Sequence, residues 1–119
     1  MKVIHLKEVE GKENSGALFT APVTMKAIEA LKDNSPSVVY VSFPKGVRNK
    51  LHSHNNDQIL IVTEGTGWLA NESGKEPITV GDVAVIPAGE KHWHGATDDS
   101  AMTHIALSAG NTSVDIFEK

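Results

Sequence analysis

Short runs of apolar and β-branched residues, separated by glycine, proline and polar turns, dominate the chain after residue 36. The longest runs, residues 37–43 (SVVYVSF) and 58–63 (QILIVT), are rich in side chains that favour strands. Shorter runs of the same kind follow at residues 67–71, 78–80, 82–86, 101–107 and 114–117. Short strands at this spacing predict an all-β fold, an antiparallel sandwich or barrel.

Residues 23–33 (VTMKAIEALKD) follow a different pattern. Ala27, Ile28 and Leu31 recur at helical spacing, and the segment favours a helix by propensity. The sequence therefore predicts a helix of about two to three turns here. A strand followed by a turn is the alternative.

Length and composition exclude several classes of protein. The 119 residues show no internal repeat, which predicts one domain spanning 1–119. The absence of cysteine removes thiolate metal sites, disulfides and cysteine nucleophiles. A net charge of −4 without a cluster of Lys or Arg argues against a nucleic-acid partner. No run has the length of a membrane span or a leader, so we expect a cytoplasmic protein without a membrane partner.

Two histidine pairs are the first candidates for chemistry. His52 and His54 are one residue apart, and His92 and His94 repeat the arrangement. Alternate residues of a strand share a face, so each pair projects two imidazoles side by side, as a divalent metal requires. A single pair of this kind is more often two unrelated surface histidines. A second pair in a small β domain without cysteine favours a metal site.

Two further polar residues lie on predicted strands. Gln58 follows His54 by four residues, across a turn, and its side-chain oxygen completes a metal shell if it begins the next strand facing inward. His104 shares a strand face with Met102 and Ala106. A histidine on an apolar strand is either hydrogen-bonded core or a site residue, and the residues alone leave both interpretations open.

The spacing around these residues forms two blocks, 46–65 (GVRNKLHSHNNDQILIVTEG) and 81–96 (GDVAVIPAGEKHWHGA). They resemble the two signature motifs of the cupin superfamily, G-x5-H-x-H-x3/4-E-x6-G and G-x5-P-x-G-x2-H-x3-N. The resemblance implies a single jelly-roll β-barrel, an antiparallel double-stranded β-helix. It also implies one divalent transition metal inside, held by His52, His54, Gln58 and His92. Small cupins pair their barrels, so a homodimer is expected, or a tetramer.

The chain departs from those motifs at Gln58, where the family has Glu, and at Ala96, where it has Asn. Three imidazoles and an amide are neutral, so the metal would keep its full double charge. The site should therefore bind metal less tightly but act as a stronger Lewis acid. Nitrogen and oxygen donors suit Mn, Fe, Ni, Co or Zn.

A longer match, HSHNNDQILIVTEGTGW with PAGEKHWHGATDDSAMTHIAL, is similar to a group of small cupins that includes manganese-dependent hydroxynitrile lyases. This similarity implies manganese, a small-molecule substrate and a lyase in which His104 is the general base. It leaves His94, Trp93 and Met102 as candidates to line the substrate pocket. An iron-dependent dioxygenase and a non-catalytic metal or ligand-binding cupin are the alternatives. A binding site alone has no need of a titrating base, and the bound metal with its oxygen dependence separates the two enzymes.

Overall fold

The computed structural model describes residues 1–28 and 35–119. This part of the chain forms a short 3-10 helix, Leu6–Glu8, and ten strands. The strands are β1 Lys12–Asn14, β2 Val23–Ala27, β3 Ser37–Phe43, β4 His52–His54, β5 Gln58–Asn71, β6 Gly74–Thr79, β7 Val83–Ile86, β8 His92–Ala96, β9 Met102–Ser108 and β10 Val114–Ile116. None of the described residues forms a helix long and apolar enough to cross a membrane.

All strand pairs are antiparallel, in the order β1-β2-β3-β9-β5-β8-β4-β10, with β6 and β7 also paired to β5. The 14-residue β5 belongs to both halves of the curled sheet: its first part pairs with β9, and its second part pairs with β8. A register shift between Val62 and Glu64 interrupts the pairing with β9, shortly before the pairing with β8 begins at Gly67. Such an irregularity increases local twist and helps a sheet to close. The strand spacing predicted an antiparallel sandwich or barrel, and this all-β prediction is confirmed with the barrel as the outcome.

The inner face of the barrel is divided between an apolar core and a polar cluster. Phe43, Val62 and Met102 are buried in the apolar core. Along β5, Gln58 and Leu60 are buried whereas Ile59 between them is 38% exposed. Alternation along a strand explains this pattern, because successive side chains point to opposite faces. The same alternation turns histidines inward on three strands.

β4 is joined to the barrel unevenly. It pairs with β8 at one position only, His52 with His92, but with β10 at three. β10 is held at its end by Glu118, whose carboxylate accepts hydrogen bonds from the Arg48 guanidinium and from the Leu51 backbone N–H. The C-terminal strand therefore supplies most of the backbone support of β4.

The predicted helix over 23–33 is wrong for its first half. Val23–Ala27 is strand β2, which lies between β1 and β3 and pairs with β3 from Thr24 to Ala27. Val23 is 1% exposed. Pairing on both edges and burial of one face outweigh a helical propensity of a few tenths of a kcal/mol per residue. Residues 29–33 of that prediction lie outside the described residues.

Apolar side chains also remain on the outer surface. Val83 and Val85 of β7 are 59% and 69% exposed, and Ile59 lies opposite Val85 on β5. The homodimer expected from the resemblance stays a prediction.

Candidate metal centre and the adjoining histidine pair

Three histidines from two strands meet inside the barrel. His52 and His54 project from the same face of β4, and His92 lies directly opposite His52 on β8. One ring nitrogen of each lies within 4.8 Å of the others. The ring centroids of His52 and His92 are 4.2 Å apart. The first histidine pair and the first member of the second pair therefore form one cluster, as the metal prediction requires.

A backbone carbonyl orients each ring of this cluster. The Nδ1 atoms donate to carbonyl oxygens at 2.6, 3.1 and 2.8 Å, in the pairs His52–Lys50, His54–Ser113 and His92–Glu90. A carbonyl oxygen only accepts, so Nδ1 carries the proton and the lone pair of each neutral ring is on Nε2. Fixing the tautomer of a ligand in this way is typical of metal-binding histidines.

Three polar atoms in this region are buried without a hydrogen-bond partner: Nε2 of His54, Nε2 of His92 and Oε1 of Gln58. Buried polar atoms are nearly always paired, so such a group requires an explanation. Gln58 is the first residue of β5 and lines the same cavity as His52 and His54. Nitrogen and amide-oxygen donors suit a divalent transition metal, so the four residues fit the metal that the resemblance implies.

Burial keeps this cluster in the form that binds metal. It lowers the pKa of His52 to about 4, outweighing the raising effect of the hydrogen bond to Lys50. Burial likewise lowers the pKa of His92. Neighbouring imidazoles lower both pKa values further, because two positive rings this close repel each other. His52 and His92 are therefore neutral at pH 7, as metal ligation requires.

His94 and His104 form a separate hydrogen-bonded pair beside the cluster. Nδ1 of His94 and Nε2 of His104 are 2.9 Å apart. The side-chain Nδ2 of Asn49 lies 3.2 Å from Nε2 of His94. Nδ1 of His94 thus has a protein partner, while the Asn49 amide nitrogen, 3.2 and 3.5 Å from the two ring nitrogens, lies against the ring. His94 does not belong to the cluster of His52, His54 and His92, although its ring centroid is only 5.7 Å from that of His92.

Both members of the pair are deeply buried. His104 is 0% exposed, its ring packs 5.3 Å from that of Phe43, and burial lowers its pKa to about 4. Burial, followed by the proximity of His104, lowers the pKa of His94 well below its usual value. Both rings are therefore neutral at pH 7. Nδ1 of His104 is buried and has no hydrogen-bond partner in another residue, although the backbone of His104 itself raises the pKa of the ring slightly against the effect of burial.

A cavity of about 150 Å³ connects the two groups. Its polar lining is Ser37, Asn49, His52, His54, Gln58, His94, His104 and Ser108. Most of the remaining wall is apolar and comes from β2, β3 and β9, with Leu18 and Phe19. The volume is below the roughly 300–1,000 Å³ of pockets for drug-sized ligands. The cavity therefore suits a small molecule that contacts both the three-histidine cluster and the His94–His104 pair.

The structure brings His94 to the cavity but not the other two predicted pocket residues. Trp93 lies between two inward-facing histidines of β8, so it faces outward, where the guanidinium carbon of Arg48 is 4.7 Å from its ring centroid. Met102 is 1% exposed and belongs to the apolar core. The sequence also gave no sign of Asn49, whose role depends on a contact with the distant strand β8.

The family model described as a cupin domain matches residues 39–108. The chain belongs to the cupin family. A cupin-like protein from Thermotoga maritima is 32% identical, with a TM-score of 0.83 over 92% of this chain and 86% of the other. The polyketide cyclase RemF from Streptomyces resistomycificus is 16% identical, with a TM-score of 0.82 over 100% and 87%, which shows the fold alone. The predicted jelly-roll barrel is confirmed.

Curated relatives of this cupin match over part of its length. An (R)-mandelonitrile lyase from Granulicella tundricola is 50% identical over 68 residues, 56% of this chain and 52% of the relative. The chain thus spans about half the length of that enzyme. The transcriptional activator RhaR from Mannheimia succiniciproducens is 34% identical over 55 residues, 46% of this cupin and 20% of the activator. The predicted resemblance to hydroxynitrile-lyase-like cupins is confirmed.

Proposed function

We propose that this cupin is a metal-dependent lyase that cleaves or forms a small carbonyl adduct of the cyanohydrin type. The observation that carries the proposal is the set of buried donor atoms without partners, Nε2 of His54 and His92 and Oε1 of Gln58, beside a neutral histidine pair. The identity of 50% to an (R)-mandelonitrile lyase over 68 residues supports the reaction class.

The residues that would hold the metal are His52, His54, Gln58 and His92. When bound, a divalent ion supplies Lewis-acid chemistry, which polarises an oxygen or nitrogen of the substrate. All four side chains are neutral in the metal-binding form and would leave the positive charge of the ion undiminished. A ligand set of this kind favours an anion such as cyanide or an alkoxide at the remaining positions. We propose manganese, as in the group that the motifs resemble.

His104 is the residue that we assign to proton transfer. Cleavage breaks the bond between the hydroxyl-bearing carbon and the nitrile carbon, whose electron pair leaves with cyanide, while a carbonyl forms and the hydroxyl proton is released. His104 lines the cavity and is neutral at pH 7, because burial lowers its pKa to about 4. A neutral imidazole can exchange a proton with a bound molecule.

The first test is metal content by mass spectrometry on protein purified without chelator or histidine tag. We expect one bound divalent ion per chain, and manganese-loaded protein should form a cyanohydrin from a small aldehyde and cyanide. If the protein binds none of Mn, Fe, Co, Ni and Zn, the proposed metal site is wrong. Bound iron with oxygen uptake and no cyanohydrin activity would support the dioxygenase instead.

Two matched variants separate metal binding from proton transfer. His92→Ala should lose both metal and activity, since it removes a ligand. His104→Ala should keep the metal and lose activity, since neither of its nitrogens belongs to the metal cluster. Full activity of His104→Ala with metal bound would contradict the role of His104. If both His104→Ala and the unmodified protein bind metal but the unmodified protein shows no cyanohydrin activity, the result would support a non-catalytic binding protein.

A further inference from the structure

Phe19 lines the cavity from a segment that lies outside the family match, which covers residues 39–108. We propose that Phe19 is a specificity-determining residue, whose ring limits the side chain of the carbonyl substrate to about the size of a benzene ring. The substrate class rests on the function proposed above. The size limit itself follows from the wall of the cavity and applies to any apolar molecule that enters it.

Hydrogen bonds hold the segment that carries Phe19 in one place. Phe19 forms an antiparallel β-bridge with Asn49, just before β4. Two backbone N–H groups donate to carbonyl oxygens across this contact at 2.9 and 2.7 Å, Thr20 to Arg48 and Lys50 to Leu18. The hydroxyl of Thr20 also accepts from the backbone N–H of Arg48 at 3.1 Å. The backbone of Phe19 is therefore fixed on both sides of the bridge.

The β-bridge turns the ring of Phe19 toward the cavity. Residues directly opposite each other in a strand pair share a face, and Asn49 is 2% exposed and lines the cavity. The ring centroid of Phe19 lies 6.1 Å from that of Phe43, with the planes at 62°, which is a favourable edge-on arrangement. Phe43 in turn packs 5.3 Å from His104. Phe19 thus lies on the side of the cavity where the histidine pair lies.

The other apolar walls near Phe19 are part of the barrel itself. Val39 and Val41 belong to β3, which is paired with β2 along one edge and with β9 along the other. Phe43 is 1% exposed and belongs to the apolar core. Phe19 is only partly buried, so its ring lies between the cavity and the solvent. Of these four side chains, Phe19 is the one whose size can change without a change in the barrel.

The volume of the cavity, about 150 Å³, sets the limit. An apolar cavity of about this volume in an unrelated protein binds a single benzene molecule. A second fused ring would need the space that the ring of Phe19 occupies. Even one surplus methylene group changes the affinity of an apolar pocket by about 10–200-fold, so a fused second ring should be excluded. Phe19→Ala removes the obstructing ring and leaves the walls from β3 in place.

Binding of two alcohols to the metal-free protein tests the size limit without relying on activity. Benzyl alcohol and 2-naphthylmethanol carry the same hydroxymethyl group and differ by one ring. The unmodified protein should bind benzyl alcohol at least about tenfold more tightly, with ¹H–¹⁵N shift changes at the amides of Val39 and Val41. Phe19→Ala should lose this preference. The control, Phe117→Ala, removes a ring that is 48% exposed elsewhere and should keep the preference.

Phe19→Trp tests the opposite direction, since it keeps an aromatic ring against Phe43 but enlarges it. Its affinity for benzyl alcohol should fall at least about tenfold. No binding of benzyl alcohol by the unmodified protein, equal binding of both alcohols, or an unchanged preference in both Phe19 variants would overturn the proposal. With manganese bound, Phe19→Ala should form a cyanohydrin from 2-naphthaldehyde, and the unmodified protein should do so only from benzaldehyde. If neither protein forms any cyanohydrin, the proposed function fails, and the alcohols still decide the size limit.

Discussion

The ion pair between Arg48 and Glu118 yields a prediction whose size follows from the structure. The Glu118 carboxylate accepts from Arg48 at 2.8 and 3.1 Å and from the Leu51 backbone N–H at 2.8 Å. The Arg48 hydrogen bonds, followed by that of Leu51, lower the pKa of Glu118 from 4.5 to about 2. A difference of this size corresponds to about 3.4 kcal/mol if the pair were shielded from water. The Glu118 side chain is 37% exposed, so screening reduces our expectation to about 1 kcal/mol.

The sign of the pH dependence follows from the lowered pKa. Glu118 stabilises the fold fully above pH 4.5, where it is ionised in both folded and unfolded chains, and the contribution disappears as the pH falls through about 2. Glu118→Gln should therefore reduce the free energy of unfolding by about 1 kcal/mol at pH 7. Less than about half of that difference should remain at pH 3. Urea denaturation of the metal-free protein at both pH values measures it.

The same substitution should also weaken metal binding. Glu118 anchors β10, and the carbonyl of Ser113 just before β10 orients the ring of His54. If the loss of about 1 kcal/mol appears entirely as easier local opening of β10, the metal affinity should fall by up to about fivefold. Glu76→Gln on β6 removes an exposed charge elsewhere and is the control. A loss in Glu118→Gln no greater than in Glu76→Gln, or an equal loss at pH 3 and pH 7, would refute the reasoning.

Three other substitutions test the site and its support. Gln58→Glu should tighten metal binding at least about tenfold and reduce lyase activity, because a carboxylate removes one unit of positive charge from the ion; metal titration and a cyanohydrin assay measure the two effects. Gly95→Ala should destabilise the fold by about 3 kcal/mol or more in urea denaturation, because the new methyl group meets the backbone of Arg48. Phe43→Ala, which removes a ring packed against both members of the histidine pair, should cost about 3–5 kcal/mol, and unaltered thermal stability would contradict this packing role.

The strands and the metal cluster could be predicted because they depend on local spacing. Residues 37–43 form β3 with the predicted bounds, since β-branched and aromatic residues between turns favour a strand in any context. His52 and His54 share a face because they are two residues apart on a strand, whatever the rest of the fold does. Their meeting with His92 required the motif resemblance, because no local rule brings two strands together.

The structure differs from the sequence predictions at a few residues. Val23–Ala27 is a strand because β1 and β3 pair with both of its edges. Trp93 could have been placed correctly, since a residue between two inward-facing histidines must face outward. Met102 shares the inner face of β9 with His104 but lies in the apolar core, and a shared face does not determine position along the barrel. Asn49 contacts His94, which is 45 residues away in sequence. Composition and periodicity do not predict a contact of this kind.

The single backbone pair between β4 and β8 gives the metal a mechanical role. Two of the proposed ligands, His52 and His54, come from one side of this seam and His92 comes from the other, and the strands themselves meet only at His52 and His92. A bound ion would therefore act as a cross-link between β4 and β8, beside the backbone hydrogen bonds that join residues 47 and 49 to residues 96 and 94. Metal-free protein should open locally between β4 and β8. Metal binding should therefore slow hydrogen exchange at the amides of β4 more than at those of β3 or β9.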